Sequence, residues 1–376
     1  MDGYDVGSVH QFHEHIIIKG YAMRAKHMMF FLLSLFLALA FIPVGSMAEA
    51  PQVGYIDVHS HIFGITGGRG GSTDYPGAVK KALSQMDKAG ISMMLVMPPP
   101  FTGGQRGVFE AYDFVSAIRE YSGRFAFLGG GGTLNVIIQN VAQSREISPE
   151  VRTRFEEQSE RLVTLGASGF GEVTAEHFSL SSSHPYESTP PDHPLFFLLA
   201  DIAARHDIPI DLHMEAVPQD MQLPDDRRLK QGNTPARLKA NIAAFERLLA
   251  YNRKAKIIWA HAGWCNTGQR TVKLMDEMLG RNPNLYMTVK IGKDSMEETR
   301  PLTSEMKIKG EWIDLVRKYP DRFMIGSDQF YLTPMSPLRQ PPGRLESITA
   351  FMAQLPQDLA YKIGNENPKR IFKLGK

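Results

Sequence analysis

The sequence predicts an α/β fold, a closed (β/α)8 TIM barrel of parallel strands, and three observations carry that expectation. Short β-rich apolar runs alternate with longer helix-compatible stretches from residue 53 onward, the pattern of a parallel sheet with crossover helices. The runs number eight, enough to close a barrel in one continuous chain. Five of them end in a residue able to hold a metal ion, at the strand end where barrel active sites sit.

The predicted strands are Tyr55–Ser60, Ser92–Met97, Phe125–Leu128, Ala167–Val173, Ile208–His213, Lys256–His261, Leu285–Lys290 and Arg322–Ser327. Between them, helical periodicity covers Gly77–Ala89, Val108–Tyr121, Val151–Leu165, Pro194–His206, Pro235–Tyr251, Gly268–Leu279 and Glu311–Lys318. No G-x-G-x-x-G follows the first strand. Gly67-Gly68-Arg69-Gly70-Gly71 lies well past it and lacks the lysine of a phosphate-binding loop, so it reads as a mobile loop over the barrel mouth. Gly129–Gly132 lets backbone pass close to the site after the third strand, and Pro98-Pro99-Pro100 stiffens the exit of the second.

The barrel domain is expected at residues 53–374 of the 376-residue chain. Met28 to Val44 is almost wholly apolar, with Arg24 and Lys26 before it and Ser46-Met47-Ala48 after it. A basic start, an apolar core and a small-x-small end describe a secretory signal peptide, so residues 1–48 are expected to be a leader removed on export to the periplasm or exterior. The run is at the short limit for a membrane anchor, and no stable membrane association is expected after cleavage. Asp2, Asp5 and Glu14 are unusual before a signal, which makes Met23 the candidate start. A formal charge of +2 gives no argument for nucleic acid or anionic membrane as partner. The single cysteine, Cys265, allows no internal disulfide, so stability must come from core burial.

The chemistry gathers at the strand ends. In Asp57-Val58-His59-Ser60-His61 the two histidines lie two apart, which on a strand points both imidazoles to one face. The fourth strand ends in Glu172, the fifth in His213, the sixth in His261 and the eighth in Asp328. Four of the chain's 12 histidines thus fall at the ends of predicted strands, on the functional face. A divalent ion held by neutral imidazoles and one or two carboxylates keeps enough charge to acidify water and polarise an electrophile, and a nearby carboxylate can take the water's proton. Asp57, two before His59, is read either as a partner for an imidazole or as a structural polar group. Lys290, at the end of the seventh strand, and Arg69 are candidate contacts for a substrate. Trp264 and Cys265 follow His261 and line the pocket, with the thiol read as a packing group. His177, His184, His193 and His206 are expected in loops or helices and are read as structural or solvent-facing.

These residues resemble the amidohydrolase superfamily, most closely its amidohydrolase-related branch, which includes aminocarboxymuconate-semialdehyde decarboxylase. The likeness runs over Asp57-x-His59-x-His61, His213, His261-Ala262-Gly263, Gly326-Ser327-Asp328 and the closing Gly364-Asn365-Glu366-Asn367-Pro368-Lys369-Arg370-Ile371-Phe372. It implies His59, His61, His213 and Asp328 as ligands of one ion, with Asp328 and His261 as the catalytic pair. In two-metal members a fourth-strand residue bridges the ions and the sixth-strand histidine binds the second. Glu172 stands where that bridge would come from. The implied cofactor is one or two divalent ions, zinc first, with manganese, iron or cobalt also compatible. A homodimer is compatible with the resemblance.

The reading is a metal-dependent hydrolase that cleaves an amide, ester, lactone or similar bond of a small molecule. The alternatives are a metal-dependent decarboxylase or hydratase acting on a small carboxylic acid, and an exported non-catalytic metal or solute binder.

Overall fold

A computed structural model describes residues 54–66, 72–105, 107–181, 184–292, 295–338 and 344–375. The expected leader at residues 1–48 lies outside the described residues. The described strands form β1 (Tyr55–Phe63), β2 (Ile91–Val96), β3 (Phe125–Phe127), β4 (Gly129–Gly130), β5 (Phe170–His177), β6 (Glu187–Ser188), β7 (Pro209–Met214), β8 (Met221–Gln222), β9 (Arg237–Leu238), β10 (Lys256–Ala262), β11 (Leu285–Val289), β12 (Phe323–Ile325) and β13 (Gln329–Leu332).

The sheet runs β3-β2-β1-β12-β11-β10-β7-β5-β4, with every pair along that path parallel. Its two ends are consecutive pieces of one strand. β3 pairs with β2 through Phe127↔Val96, and β4 pairs with β5 through Gly129↔Phe170. Leu128 N–H donates to Val96 O at 3.0 Å, and Gly129 N–H donates to Gly169 O at 3.3 Å. The third strand therefore changes partner at Leu128 and closes the barrel, removing the open edges that a flat sheet would expose. β13 extends the eighth strand along β1, from Ser60↔Gln329 to Phe63↔Leu332.

The helices are α1 (Tyr75–Ala89), α2 (Ala111–Arg119), α3 (Leu134–Asn140), α4 (Pro149–Leu165), α5 (Pro194–His206), α6 (Ile242–Tyr251), α7 (Val272–Arg281), α8 (Gly310–Lys318), α9 (Leu345–Gln354), α10 (Gln357–Tyr361) and α11 (Asn367–Phe372). Their ends follow local chemistry. Asp74 accepts from Gly77 N–H at 2.8 Å to start α1, and Gly90 ends it with φ +70. Glu110 and Asp113 form a capping box, so α2 begins at Ala111 and not at the expected Val108. The helix expected at Pro235–Tyr251 starts only at Ile242. Arg237–Leu238 pairs instead with β8, and the Asn241 side chain takes Val217 N–H and donates to Glu215 O.

Two apolar cores follow from strand alternation. The larger joins outward strand residues such as Met94, Val96, Ile257, Trp259, Phe323 and Ile325 to the helices. The smaller joins the residues between them, Leu95, Ile258 and Met324, to Ile56, Val58, Met97 and Leu128, and is closed by Ile371 and Phe372 of α11. The C-terminal motif is thus the floor of the barrel. Asn365 Nδ2 donates to Gly54 O at 2.9 Å, and Asn367 Nδ2 donates to Pro320 O at 2.7 Å and Phe323 O at 2.9 Å. The floor fills one end of the barrel and leaves polar side chains to the other.

Candidate metal centre

Three of the strands that carry candidate ligands break register just at the ligand. The ladder shifts between Asp57 and Ser60 on β1, between Phe170 and Val173 on β5, and between Trp259 and Ala262 on β10. A bulge of this kind re-aims a side chain. His261 (φ +68) and Asp328 (φ +52) also sit in the left-handed region, where a side chain other than glycine is strained, and such residues concentrate at functional sites. β7 is regular, so Asp211 and His213 share a face by plain alternation. Close approach is secured by small residues. A Cβ on Gly326 would lie 2.8 Å from the His59 Cβ, and one on Gly171 would lie 2.8 Å from the Asp211 Cβ.

The histidine tautomers can be read from their partners. His61 Nδ1 lies 3.0 Å from Met97 O, and a carbonyl only accepts, so Nδ1 carries the proton and Nε2 presents a lone pair. His59 Nδ1 lies 3.2 Å from both carboxylate oxygens of Asp211, which directs its Nε2 toward the mouth in the same way. His59 Nε2 is buried without a hydrogen-bond partner. Around these nitrogens stand two carboxylates. Glu172 Oε2 is 3.5 Å from His59 Nε2 and 3.6 Å from His61 Nε2. Asp328 Oδ1 is 3.0 Å from His61 Nε2 and 3.9 Å from His59 Nε2.

A lone pair facing a carboxylate oxygen at 3.0 Å is repulsive unless a proton or a cation lies between them. The four atoms also have the separations of a donor shell: tetrahedral bonds of about 2.1 Å place neighbouring ligand atoms about 3.4 Å apart. The residues present therefore fit a divalent ion. Two overlapping groups have one ligand atom each within 4.8 Å of the others: His59, His61 and Asp328, and His59, Glu172 and His261.

Glu172 faces both ways. Its Oε1 lies 2.7 Å from His213 Nδ1 and 3.1 Å from His261 Nε2, while Oε2 looks toward the β1 histidines. Burial would raise its carboxyl, but positive charge on His59 and hydrogen bonds from His213 and His261 outweigh it and hold the group well below the usual carboxylate range. Burial likewise opposes a proton on His59, but Asp211 and Glu172 outweigh it and raise the imidazole well above its ordinary value. A metal ion would take that proton's place. His261 is held far below the ordinary histidine range by burial and then by Lys290.

Asp328 divides its oxygens. Oδ1 faces the histidines; Oδ2 receives Lys290 Nζ at 2.5 Å and Arg344 Nη1 at 3.3 Å. Burial would raise this carboxyl, and the two cations outweigh it. Lys290 also lies over the Trp264 ring, 3.5 Å from its centroid. Trp264 sits edge-on to His213 and His261, at centroid distances of 6.4 and 6.1 Å. Cys265 is buried and bonds Thr267. Arg69 lies outside the described residues.

The structure thus brings His59, His61, Glu172, His213, His261 and Asp328 to one mouth, with Lys290 and Trp264 beside them. It differs from the sequence-based expectations at several points. Asp57 does not hold an imidazole. The bulge removes it from the His59 face, and it accepts instead from His59 N–H (3.2 Å), Ser60 Oγ (2.9 Å), Ser327 N–H (2.9 Å) and Ser327 Oγ (2.5 Å), clasping β1 to the end of β12. His177 is not in a loop or helix. It ends β5, with its ring 4.3 Å from His213 and Nδ1 3.6 Å from Glu187 Oε2. Asp211 and Arg344 were not foreseen. Asp211 had a signal, since it lies two residues before His213 on one strand face; Arg344 caps the start of α9 and had none.

A family model described as amidohydrolase matches residues 147–374. No curated protein matches the sequence. Among solved structures, a probable 2-pyrone-4,6-dicarboxylic acid hydrolase of Acinetobacter baumannii with citric acid bound is 14% identical, with a TM-score of 0.50 over 85% of this chain and 100% of that one. The 5-carboxyvanillate decarboxylase of Sphingomonas paucimobilis is 14% identical, with a TM-score of 0.44 over 85% and 99%. Dihydroorotase from Campylobacter jejuni is 13% identical, with a TM-score of 0.47 over 86% and 84%. The matched residues span α4 to α11 and take in Glu172, His213, His261 and Asp328. The chain belongs to the amidohydrolase family of metal-dependent enzymes.

Proposed function

We propose that the protein is a metal-dependent hydrolase that cleaves an amide, ester, lactone or similar bond of a small molecule, with Glu172 bridging two ions. The observation that carries this reading is the double-faced carboxylate: Oε2 is 3.5 Å from His59 Nε2, while Oε1 is 2.7 Å from His213 Nδ1 and 3.1 Å from His261 Nε2. His59, His61 and Asp328 would hold one ion, and His213 and His261 the other. This makes His261 a ligand, and not the water-orienting group that the one-metal pattern implies. A divalent ion at this mixed nitrogen and oxygen set supplies a lowered water pKa and polarisation of a carbonyl, and zinc suits it.

The chain's own residues do the rest. Asp211 fixes the His59 ring and Met97 O fixes His61, so both present Nε2 without reorganisation. Lys290 and Arg344 occupy Asp328 Oδ2 and leave Oδ1 as the atom that can accept a proton from water at the mouth. From the leader read in residues 1–48 we propose that the activity belongs to the periplasm or exterior, with a homodimer as the working form.

The test is turnover by the zinc-loaded protein against a panel of esters, lactones and amides, alongside CO2 release from unsaturated and aromatic acids. Hydrolysis of a panel member, lost in His261→Asn with total metal reduced, is the expected result. CO2 release without hydrolysis would replace this reading with a decarboxylase, and tight metal binding with no turnover of either kind would replace it with a binding protein.

A further inference from the structure

We infer that Arg270 and Trp259 are positioning residues: together they hold His261 and His213 at the spacing that Glu172 Oε1 needs between them. The inference rests on the reading of this mouth as a metal centre, and it adds what sets the geometry of its second half.

The starting observation is a buried cation that bonds only main chain. Arg270 lies between β10 and α7 and is 1% exposed. Its Nη1 donates to Ala260 O, its Nη2 donates to Trp259 O at 2.6 Å, and among the described residues its Nε has no partner. The guanidinium lies over the Trp259 ring, 4.0 Å from the centroid. A buried charge is costly to keep, and one held by two carbonyls and a ring face needs a reason.

The second observation supplies it. The two carbonyls belong to the bulge that aims His261. The ladder between β10 and β11 passes from Trp259↔Met287 to Ala262↔Val289, so Ala260 and His261 stand opposite Thr288 alone. Successive carbonyls of a regular strand point to opposite neighbours, whereas here one planar fork takes both. His261 then adopts φ +68, and its N–H donates to Thr288 Oγ1 at 3.3 Å. A strained backbone persists only where the surroundings over-determine it. Arg270 holds the carbonyls before His261 and Thr288 holds its N–H, so the bulge is fixed from both sides.

The clamp also reaches the neighbouring strand. Pairing of β10 with β7 ends at Trp259↔Leu212. Past that pair, the Trp259 indole N–H donates to Met214 O at 2.8 Å, one residue beyond His213. Arg270 covers that same indole, so a single guanidinium restrains the chain beside both histidines. Their ring centroids are 4.7 Å apart, and Glu172 Oε1 lies 2.7 Å from His213 Nδ1 and 3.1 Å from His261 Nε2. His59 and His61 stand on β1 and take no bond from Arg270. Lysine is a poor substitute, because an ammonium is a point charge that cannot lie flat on the indole while it meets both carbonyls.

The experiment is proton–nitrogen NMR of the zinc-loaded chain labelled with 15N at histidine, in wild type, Arg270→Lys, Trp259→Phe and Asn367→Ala. Ring signals are assigned with His59→Asn, His61→Asn, His213→Asn and His261→Asn, and zinc per chain is measured in parallel. Arg270→Lys should move the His213 and His261 ring signals by more than a linewidth and leave those of His59 and His61 in place. It should also weaken the weakest-bound zinc at least fivefold against a competing chelator. Trp259→Phe keeps a ring under Arg270, removes only the N–H to Met214 O, and should move His213. Asn367→Ala loosens the barrel floor and should move none of the four. Unmoved His213 and His261 signals in Arg270→Lys would overturn the inference. Equal shifts of all four rings, or the same shifts in Asn367→Ala, would overturn it too, because the effect would then be general loosening. If Arg270→Lys does not fold, Trp259→Phe decides, and an unmoved His213 overturns the clamp. One zinc per chain in wild type would count against the two-ion reading and not against the clamp, which the ring signals decide in either case.

Discussion

Replacing Asp211 by asparagine isolates the support of one imidazole. Both carboxylate oxygens lie 3.2 Å from His59 Nδ1, Asp211 is fully buried, and its Oδ1 has no other hydrogen-bond partner. Its charge is therefore committed to His59. A charge-assisted bond contributes roughly 1.5–3 kcal/mol and a neutral one roughly 0.5–1.5. Asparagine keeps the shape and one acceptor, so the change costs about 1.4 kcal/mol, or about tenfold in metal affinity. That is the lower end of the roughly 10–100-fold loss found when the partner of a metal-bound histidine is removed. The assay is competition for zinc against a chromophoric chelator at pH 7.5. An affinity within twofold of wild type would refute the idea that Asp211 orients and polarises His59.

The remaining predictions concern the barrel around the centre. Glu176 is pushed up to about 7 by burial, offset by hydrogen bonds from Tyr186 and Ser188, with Glu215 repelling its charge. Its folded value exceeds the unfolded one of about 4.5, so its contribution is fully present below that value and is lost as pH rises through about 7. Glu176→Gln, which keeps the neutral form, should match wild type in urea unfolding at pH 4.5 and be more stable at pH 8, by at most about 3 kcal/mol. Gly326→Ala drives a methyl against the His59 Cβ at 2.8 Å and the Thr288 Cβ at 2.9 Å. It should lower stability by roughly 1–3 kcal/mol and weaken metal binding, read by thermal unfolding and metal content. Asn367→Ala strips hydrogen bonds from the carbonyls of Pro320 and Phe323 at the barrel floor. It should destabilise by about 2 kcal/mol in denaturant titration while leaving metal content unchanged, because the floor is remote from the mouth.

Much of this was legible in the chain because a parallel barrel makes strand ends converge. The strand-end rule alone brings His59, His61, Glu172, His213, His261 and Asp328 together. Where it fell short, a local irregularity intervened. Period-two alternation puts Asp57 beside His59, but the ladder shift between Asp57 and Ser60 turns it toward Ser327. Glycine makes the third strand look as if it stops at Leu128, whereas it continues through Gly129–Gly130 on a new partner. Helix periodicity over-extended α6 because Arg237–Leu238 is claimed by a hairpin. Arg344 reaches Asp328 from 16 residues on, a contact made from the start of α9 and not set by any local pattern.

The central claim is a two-ion centre with Glu172 between its halves. Metal per chain, by elemental mass spectrometry on the zinc-reloaded protein beside Glu172→Gln and the His59→Ala/His61→Ala double variant, tests it most directly. About two ions in wild type, no more than one in Glu172→Gln and a further loss in the double variant is the predicted result. One ion in wild type that persists in Glu172→Gln would contradict the bridge and return the site to the one-metal pattern. No ion in any of the three proteins would contradict the metal centre itself.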